Sequence, residues 1–335
     1  MPTLAPFTGR IDGQGARTEQ TPFETACFNI KEPSPMKPHV SQEARHQVLA
    51  LRRTQSIRDV AQRTGLPVGT IKTICHRSGA FHDNQKLRDL FKLPEIKASQ
   101  QTLPATLELP PQLAVTGDKE IDAVLWLRQV IGTGQAALID KAMLAVKKIK
   151  TPLEEVEKRY RDYMVSAHPG NFMAALASFG FADLEGLAKK STRKLTLSNE
   201  AMTRFGTVES LYADTPAELF CIETLKGVNL ASHGGIDDDD ADKRFQACPE
   251  LMPHTIGDCL YELAYWSDLY ALRNASGDCG DGPQEASARD WFVFRCLARI
   301  RPRTREEALA AFHYLADSER MDIGDTDAIL LNLIG

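Results

Sequence analysis

After residue 118, apolar positions recur three and four residues apart almost everywhere, the spacing that gathers them on one face of an α-helix. Thr151-Pro152-Leu153-Glu154 reads as a helix start, with Thr151 as the cap, Pro152 where a missing N–H costs nothing, and Glu154 able to bond back to the cap. Val156, Tyr160, Tyr163 and Met164 continue at helical spacing. The same signal opens Thr215-Pro216-Ala217-Glu218, ahead of Leu219, Ile222 and Leu225. It recurs in Thr304-Arg305-Glu306-Glu307, ahead of Leu309, Phe312 and Leu315. The stripe Leu260, Leu263, Trp266 and Leu269 is expected to form core against a helix bearing Trp291, Phe292, Phe294 and Arg299. Short alternating β-branched runs with hairpin turns are nearly absent, so the expected fold is mainly α.

Breaks in this pattern divide the chain. Residues 1–40 hold six prolines, several glycines and no periodicity, and read as an unfolded N-terminal tail. A second break, 94–117, has linker composition, with Pro94, Pro104, Pro110 and Pro111 among Ser, Thr and Gln. Residues 41–93 lie between them as a helical module. A middle helical domain over 118–230, an acidic loop at 231–243 carrying Asp237 to Asp240, and an acidic C-terminal helical domain over 244–335 are expected to follow. The apolar end, 328–334, is expected to dock intramolecularly, with a partner contact as the other option.

Within 41–93 the steric requirements of two helices meeting at a sharp angle are met in order. Such a corner needs a small residue inside the first helix, a residue tolerant of left-handed backbone in the turn, and apolar residues on the inner face of the second helix. Ala61 is the small residue, beside Ile57 and Val60. Gly65 occupies the turn with Leu66 after it, and Ile71 and Ile74 face inward. Ser56 is the natural cap of the first helix, and Pro67 or Val68 opens the second. Thr64 stands where an apolar residue is more usual, its methyl available for packing. Ala44, Val48 and Leu51 before the corner, and Leu87, Leu90 and Phe91 after it, are expected to complete a three- or four-helix cluster around it.

Residues 57–76 resemble the helix-turn-helix of phage repressors and resolvases, and Leu66-Pro67-Val68-Gly69-Thr70-Ile71-Lys72 is similar to the promoter-contacting part of sigma factor region four. Outside 41–93 the chain resembles no known family. The resemblance implies a DNA-binding module of bacterial or phage type whose second helix enters the major groove. Val68, Gly69, Thr70, Lys72, Thr73 and His76 would then face base edges: Lys72 suits guanine acceptors, Thr73 several bases, and the Val68 and Thr70 methyls a thymine methyl. Arg52, Arg53, Arg58, Arg63, Arg77 and Lys86 are of the charge type and spacing for phosphates, contacts that position without reading sequence.

The formal net charge of −5 conceals a polarity that strengthens this expectation. Residues 1–100 carry 15 Lys+Arg against 9 Asp+Glu, whereas residues 201–335 carry 12 against 24. One end attracts phosphate and the other repels it. The seven cysteines are scattered without a C-x-x-C pair, no apolar signal core opens the sequence, and no run approaches the roughly 18–20 apolar residues that span a bilayer. A cytoplasmic, nucleoid-associated location with free thiols is expected.

Other constellations carry less. Cys248, His254 and Cys259, with Cys279 beyond, lack finger spacing; free or buried thiols are the expected reading, and no metal or cofactor is implied. The aspartate run lacks the spaced ligands of a calcium loop. Gly132-Thr133-Gly134 is a helix break without a phosphate-loop lysine, and His168-Pro169-Gly170 closes the Thr151 helix without a nucleophile for His168 to activate. The expected function is therefore a sequence-specific double-stranded DNA-binding regulator, not an enzyme. It would act as a homodimer through the helices of 118–206, with a protein partner at the acidic C-terminal domain. Two alternatives stay open: a DNA-targeting subunit of a transposition or recombination system, and a partition or adaptor scaffold.

Overall fold

The computed structural model describes residues 40–52, 55–78, 81–97, 109–231, 234–277 and 280–334, without the side chains of residues 172, 175 and 177. The expected tail at 1–40 falls almost entirely outside these residues. The described chain is mainly α, as the periodicity requires. Helices α1 (Gln42–Arg52), α2 (Ile57–Thr64) and α3 (Val68–Ser78) form a small cluster, followed by a short α4 (Gln85–Leu90). Then come α5 (Lys119–Gly132), α6 (Ala136–Val146), α7 (Leu153–Ala167), a 3-10 turn at Phe172–Ser178, and α8 (Leu184–Phe205). The remainder comprises α9 (Val208–Tyr212), α10 (Pro216–Thr224), α11 (Asp238–Gln246), a 3-10 turn at Pro249–Leu251, α12 (Ile256–Ser276), α13 (Gln284–Cys296), α14 (Arg305–Asp317) and α15 (Thr326–Ile334). Among the described residues the sole extended pairing is an isolated bridge between Leu230 and Ile236.

The helix starts differ in how they are satisfied. Thr215 and Glu218 form the reciprocal box, with the Thr215 N–H donating to Glu218 Oε2 at 2.8 Å and the Glu218 N–H to Thr215 Oγ1 at 3.3 Å. Thr304 accepts from the Glu307 N–H at 3.3 Å. Thr151 departs from expectation. Its hydroxyl donates to Glu120 on α5 at 2.8 Å, and Arg159 bridges Asp118 and Glu120 at 2.6 Å each, so the residue tethers α7 to α5 rather than capping its own helix. The Thr151 hydroxyl, and then Arg159, hold the Glu120 carboxyl below its usual range.

Two further expectations are corrected. The run Asp237 to Asp240 is the start of α11: Asp237 Oδ1 accepts from the Asp240 N–H at 2.9 Å, and the other acids sit in the first turn, where the helix dipole favours negative charge. Asp242 then pairs with Arg295 at 2.5 Å. Nor does the 231–243 segment divide the helices before it from those after it. Helix α8 lies along α12, and α10 contributes Cys221 and Leu225 to the same core as Ile256, Phe292 and Leu315. The described residues from 42 onward form one compact unit. Helices α5 and α6 keep a core of their own, built on Leu127, Val130 and Leu138 and closed by Leu184. Of the expected linker, residues 109–117 pack against α5, where Trp126 Nε1 donates to the Pro110 carbonyl at 2.8 Å and Asp122 Oδ1 accepts from the Thr116 N–H at 2.8 Å. The chain end docks through the buried Ile329, while Leu331 and Ile334 on the far side of α15 stay 73% and 85% exposed.

At the centre of the C-terminal body is an ion pair. Arg289 on α13 donates to Glu262 on α12 through Nε at 2.6 Å and Nη2 at 2.9 Å, and to the Leu251 carbonyl at 2.7 Å, with both side chains fully buried. The rings of Phe91, Phe220, Phe245 and Phe292 surround the guanidinium, their centroids 5.1–5.7 Å away. Each ring belongs to a different segment, so one cation joins four parts of the chain.

Candidate nucleic-acid interface

The α1–α3 cluster is built on Val48, Val60 and Ile71, one from each helix and all completely buried, with Leu51, Ile57, Leu66 and Ile74 around them. Ser56 caps α2, accepting from the Asp59 N–H at 3.2 Å while donating to Asp59 Oδ2 at 2.6 Å. Helix α2 ends at Gly65, whose backbone is left-handed at φ 67° and ψ 7° and whose N–H donates to the Ala61 carbonyl at 3.0 Å. A Cβ at Gly65 would meet nothing within 4 Å, so the backbone conformation, not crowding, favours glycine here. The Pro67 carbonyl accepts from the N–H groups of Thr70 and Ile71 at 2.9 and 3.1 Å and starts α3. The Thr64 hydroxyl donates to the Val60 carbonyl at 2.7 Å, which satisfies it within α2.

Helix α3 is two-sided. Ile71 is 0% exposed. Val68, Gly69, Lys72, Thr73 and His76 are exposed, and Thr70 is half-buried. The Thr73 hydroxyl donates to the Gly69 carbonyl at 2.9 Å, so its lone pairs face outward as acceptors. The His76 ring meets His82 edge-on at 5.6 Å.

The basic residues separate by environment. Arg58, Arg63, Arg77 and Lys86 are exposed, and neither they nor Lys72 take part in an ion pair among the described residues. Arg53 lies outside the described residues. Arg52 is half-buried: its Nη1 donates to the Gln55 carbonyl and its guanidinium lies over the Phe81 ring at 5.4 Å. It braces the module, and this internal use competes with the phosphate contact expected of it. Burial pushes the neighbouring Cys75 thiol up, against the pull of Arg52, so the thiol stays protonated.

Helix α4 is not part of this cluster, contrary to expectation. Leu87 and Phe91 are buried against Ala217, Tyr265 and Leu269. Arg88 Nε meets Asp258 at 2.9 Å, the Asn84 amide donates to the carbonyls of Glu250 and Met252 at 2.9 Å each, and Asp83 pairs with Arg303 at 3.0 Å. Asp258 is fully buried and also accepts from the backbone N–H groups of Asn84 and His254, at 2.9 and 3.1 Å. The α1–α3 cluster is therefore followed directly by an anchor on the C-terminal body. Asn84 also caps α4, accepting from the Leu87 N–H at 3.3 Å, a signal that marks the helix start but not the surface on which it docks.

Among the described residues no three His, Cys, Asp or Glu side chains come together in a way that could hold a metal ion. Cys221, Cys259 and Cys296 are buried and free, with burial pushing the Cys296 thiol up to about 12. No described helix is long and apolar enough to cross a membrane. Comparison of the chain with family models, with curated proteins and with solved structures gave no match.

Proposed function

We propose that α1–α3 is a helix-turn-helix unit that binds double-stranded DNA with α3 in the major groove, and that the protein is a sequence-specific transcriptional regulator. One observation carries the reading: α3 is fixed from behind by the fully buried Ile71 while Lys72, Thr73 and His76 face solvent on its other side. A helix held this way presents polar groups at a constant angle, the condition for reading base edges. Lys72 serves as donor to guanine and Thr73 as acceptor. Arg58, Arg63, Arg77 and Lys86 serve the phosphates, Arg52 being engaged internally. The strongly acidic C-terminal third faces away from the duplex and is free for protein partners. In this reading two copies bind together, on half-sites about one helical turn apart.

The test is selection of bound duplexes from a random pool with the full-length chain, followed by titrations at several salt concentrations. The double variant K72A/T73A is expected to lose preference for the selected sequence while retaining salt-dependent binding. R58A/R63A is expected to weaken all duplexes alike and to lower the log–log salt slope by about two. A pool that shows no enrichment refutes the reading, and discrimination intact in K72A/T73A refutes the orientation of α3.

A further inference from the structure

On the C-terminal body, away from α1–α3, a cleft of about 490 Å³ lies between the second half of α12, the segment entering α13 and the end of α14. That volume is in the range of small-molecule sites. Trp266, Tyr270, Tyr314, Leu263 and Leu269 are among its lining residues.

Two ion pairs border it, and their bonding decides what it can hold. Arg273 donates to both Glu218 oxygens at 2.6 and 2.9 Å and to the carbonyls of Leu211 and Ala213, and the Thr215 N–H completes Glu218. Gly282 closes over this pair: a Cβ there would come within 2.6 Å of Glu218 Oε1. Within that pair the charges are matched, and one N–H of Arg273 Nη1 is left over. Across the cleft, Arg320 Nη2 donates to Asp290 Oδ2 at 2.5 Å, with the guanidinium held over the rings of Trp291 and Phe294 at 4.9 and 5.1 Å. Arg320 Nη1 is unpartnered and sealed from solvent. Among the described residues Asp290 accepts from Arg320 alone, at Oδ2, which leaves Oδ1 as an acceptor. Asp281, exposed at the rim, is in no ion pair among the described residues. Both arginines are neutralised and one carboxylate is in excess, in a part of the chain where 24 acidic residues face 12 basic ones.

We propose that this cleft binds a small organic cation, a primary amine or guanidinium on an aromatic or alkyl body. The cationic head donates to Asp290 Oδ1 and the body packs against Trp266 and Tyr270. Carboxylates and phosphates are disfavoured because both arginines already hold a carboxylate and Asp281 leaves the lining net negative. Burial pushes the Asp290 carboxyl up against the pull of Arg320, and a second cation at Oδ1 relieves that cost.

Calorimetric titration of the full-length chain, without DNA, tests this independently of the DNA-binding proposal. The probes are tryptamine, phenethylamine and agmatine, with neutral tryptophol and anionic indole-3-propionate as controls. At least one amine is expected to bind with a Kd below about 1 mM and at least about tenfold more tightly than the neutral and anionic indoles. D290N is expected to weaken that amine about tenfold or more. Because it also strips Arg320 of its partner, S287W, which fills the cleft from its lining and keeps all four ion-pair residues, is the second variant. Absence of amine binding, equal binding of the amine and its neutral analogue, or wild-type binding by folded S287W each overturns the proposal.

Discussion

Replacing Glu262 with Gln removes the carboxylate that neutralises Arg289 while keeping nearly the same shape, and the structure fixes what that costs. Both side chains have no exposed surface, so water cannot compensate either one. The guanidinium keeps its bond to the Leu251 carbonyl and its four surrounding rings, but loses one of two charge-assisted bonds and the whole counter-charge. Breaking a buried pair from one side costs about 3–5 kcal/mol, a large fraction of the roughly 5–15 kcal/mol by which such a fold is stable. The opposite single change, Arg289→Met, leaves Glu262 buried among apolar groups. Burial already pushes that carboxyl up, opposed by Arg289, and without the arginine it shifts further. Its folded-state pKa then lies above the unfolded one, so the folded state holds a proton that the unfolded state releases. The R289M penalty is therefore smallest at about pH 4 and grows as pH rises toward 7, whereas the E262Q penalty does not grow with pH, because no carboxyl remains there to titrate. The double variant E262Q/R289M buries no charge and is expected to lose less stability than the two single variants summed, giving a coupling of about 2–3 kcal/mol. Urea melts of the four proteins at pH 4.5 and 7 measure the cycle. Additive single effects, or an R289M penalty independent of pH, would refute the claim that this pair is one electrostatic unit.

Two further outcomes follow from the geometry. Gly65→Ala is expected to cost about 1–2 kcal/mol, the left-handed backbone alone, because its Cβ meets nothing; Gly134→Ala should cost clearly more, because its Cβ would lie 2.5 Å from the Ser191 carbonyl oxygen. Thermal denaturation of the two variants ranks them, and equal losses would contradict the difference. Asp258→Asn is expected to destabilise by about 2–4 kcal/mol, since its amide would face one of the three donors now met by the carboxylate; limited proteolysis should then cleave first near α4, and an unchanged cleavage pattern would argue against an anchor there.

Much of the secondary structure was legible locally. Period-3.6 apolar spacing gave the helices after residue 118. Ser56, Gly65 and the Thr215–Glu218 box marked ends that the backbone satisfies as expected, because a cap depends on residues three positions apart in the chain. The inner face of α3 was legible for the same reason: Ile71 falls one helical turn from Ile74.

What the sequence left open was decided by partners distant along the chain. Leu87 and Phe91 form an amphipathic stripe that fits the α1–α3 cluster and the C-terminal body equally well on paper. Only the body supplies Asp258 for Arg88 and carbonyls for Asn84. Thr151 had the pattern of a cap, but a carboxylate on α5 competes better for its hydroxyl. Nothing in the spacing marked Glu262 or Arg289 as a buried pair, since charge alone does not reveal that its opposite lies 2.6 Å away across two helices. Local pattern determined which residues are helical and which face is apolar; the tertiary structure decided which apolar faces meet and which charges are buried, because those energies depend on desolvation and on partners that spacing along the chain does not encode.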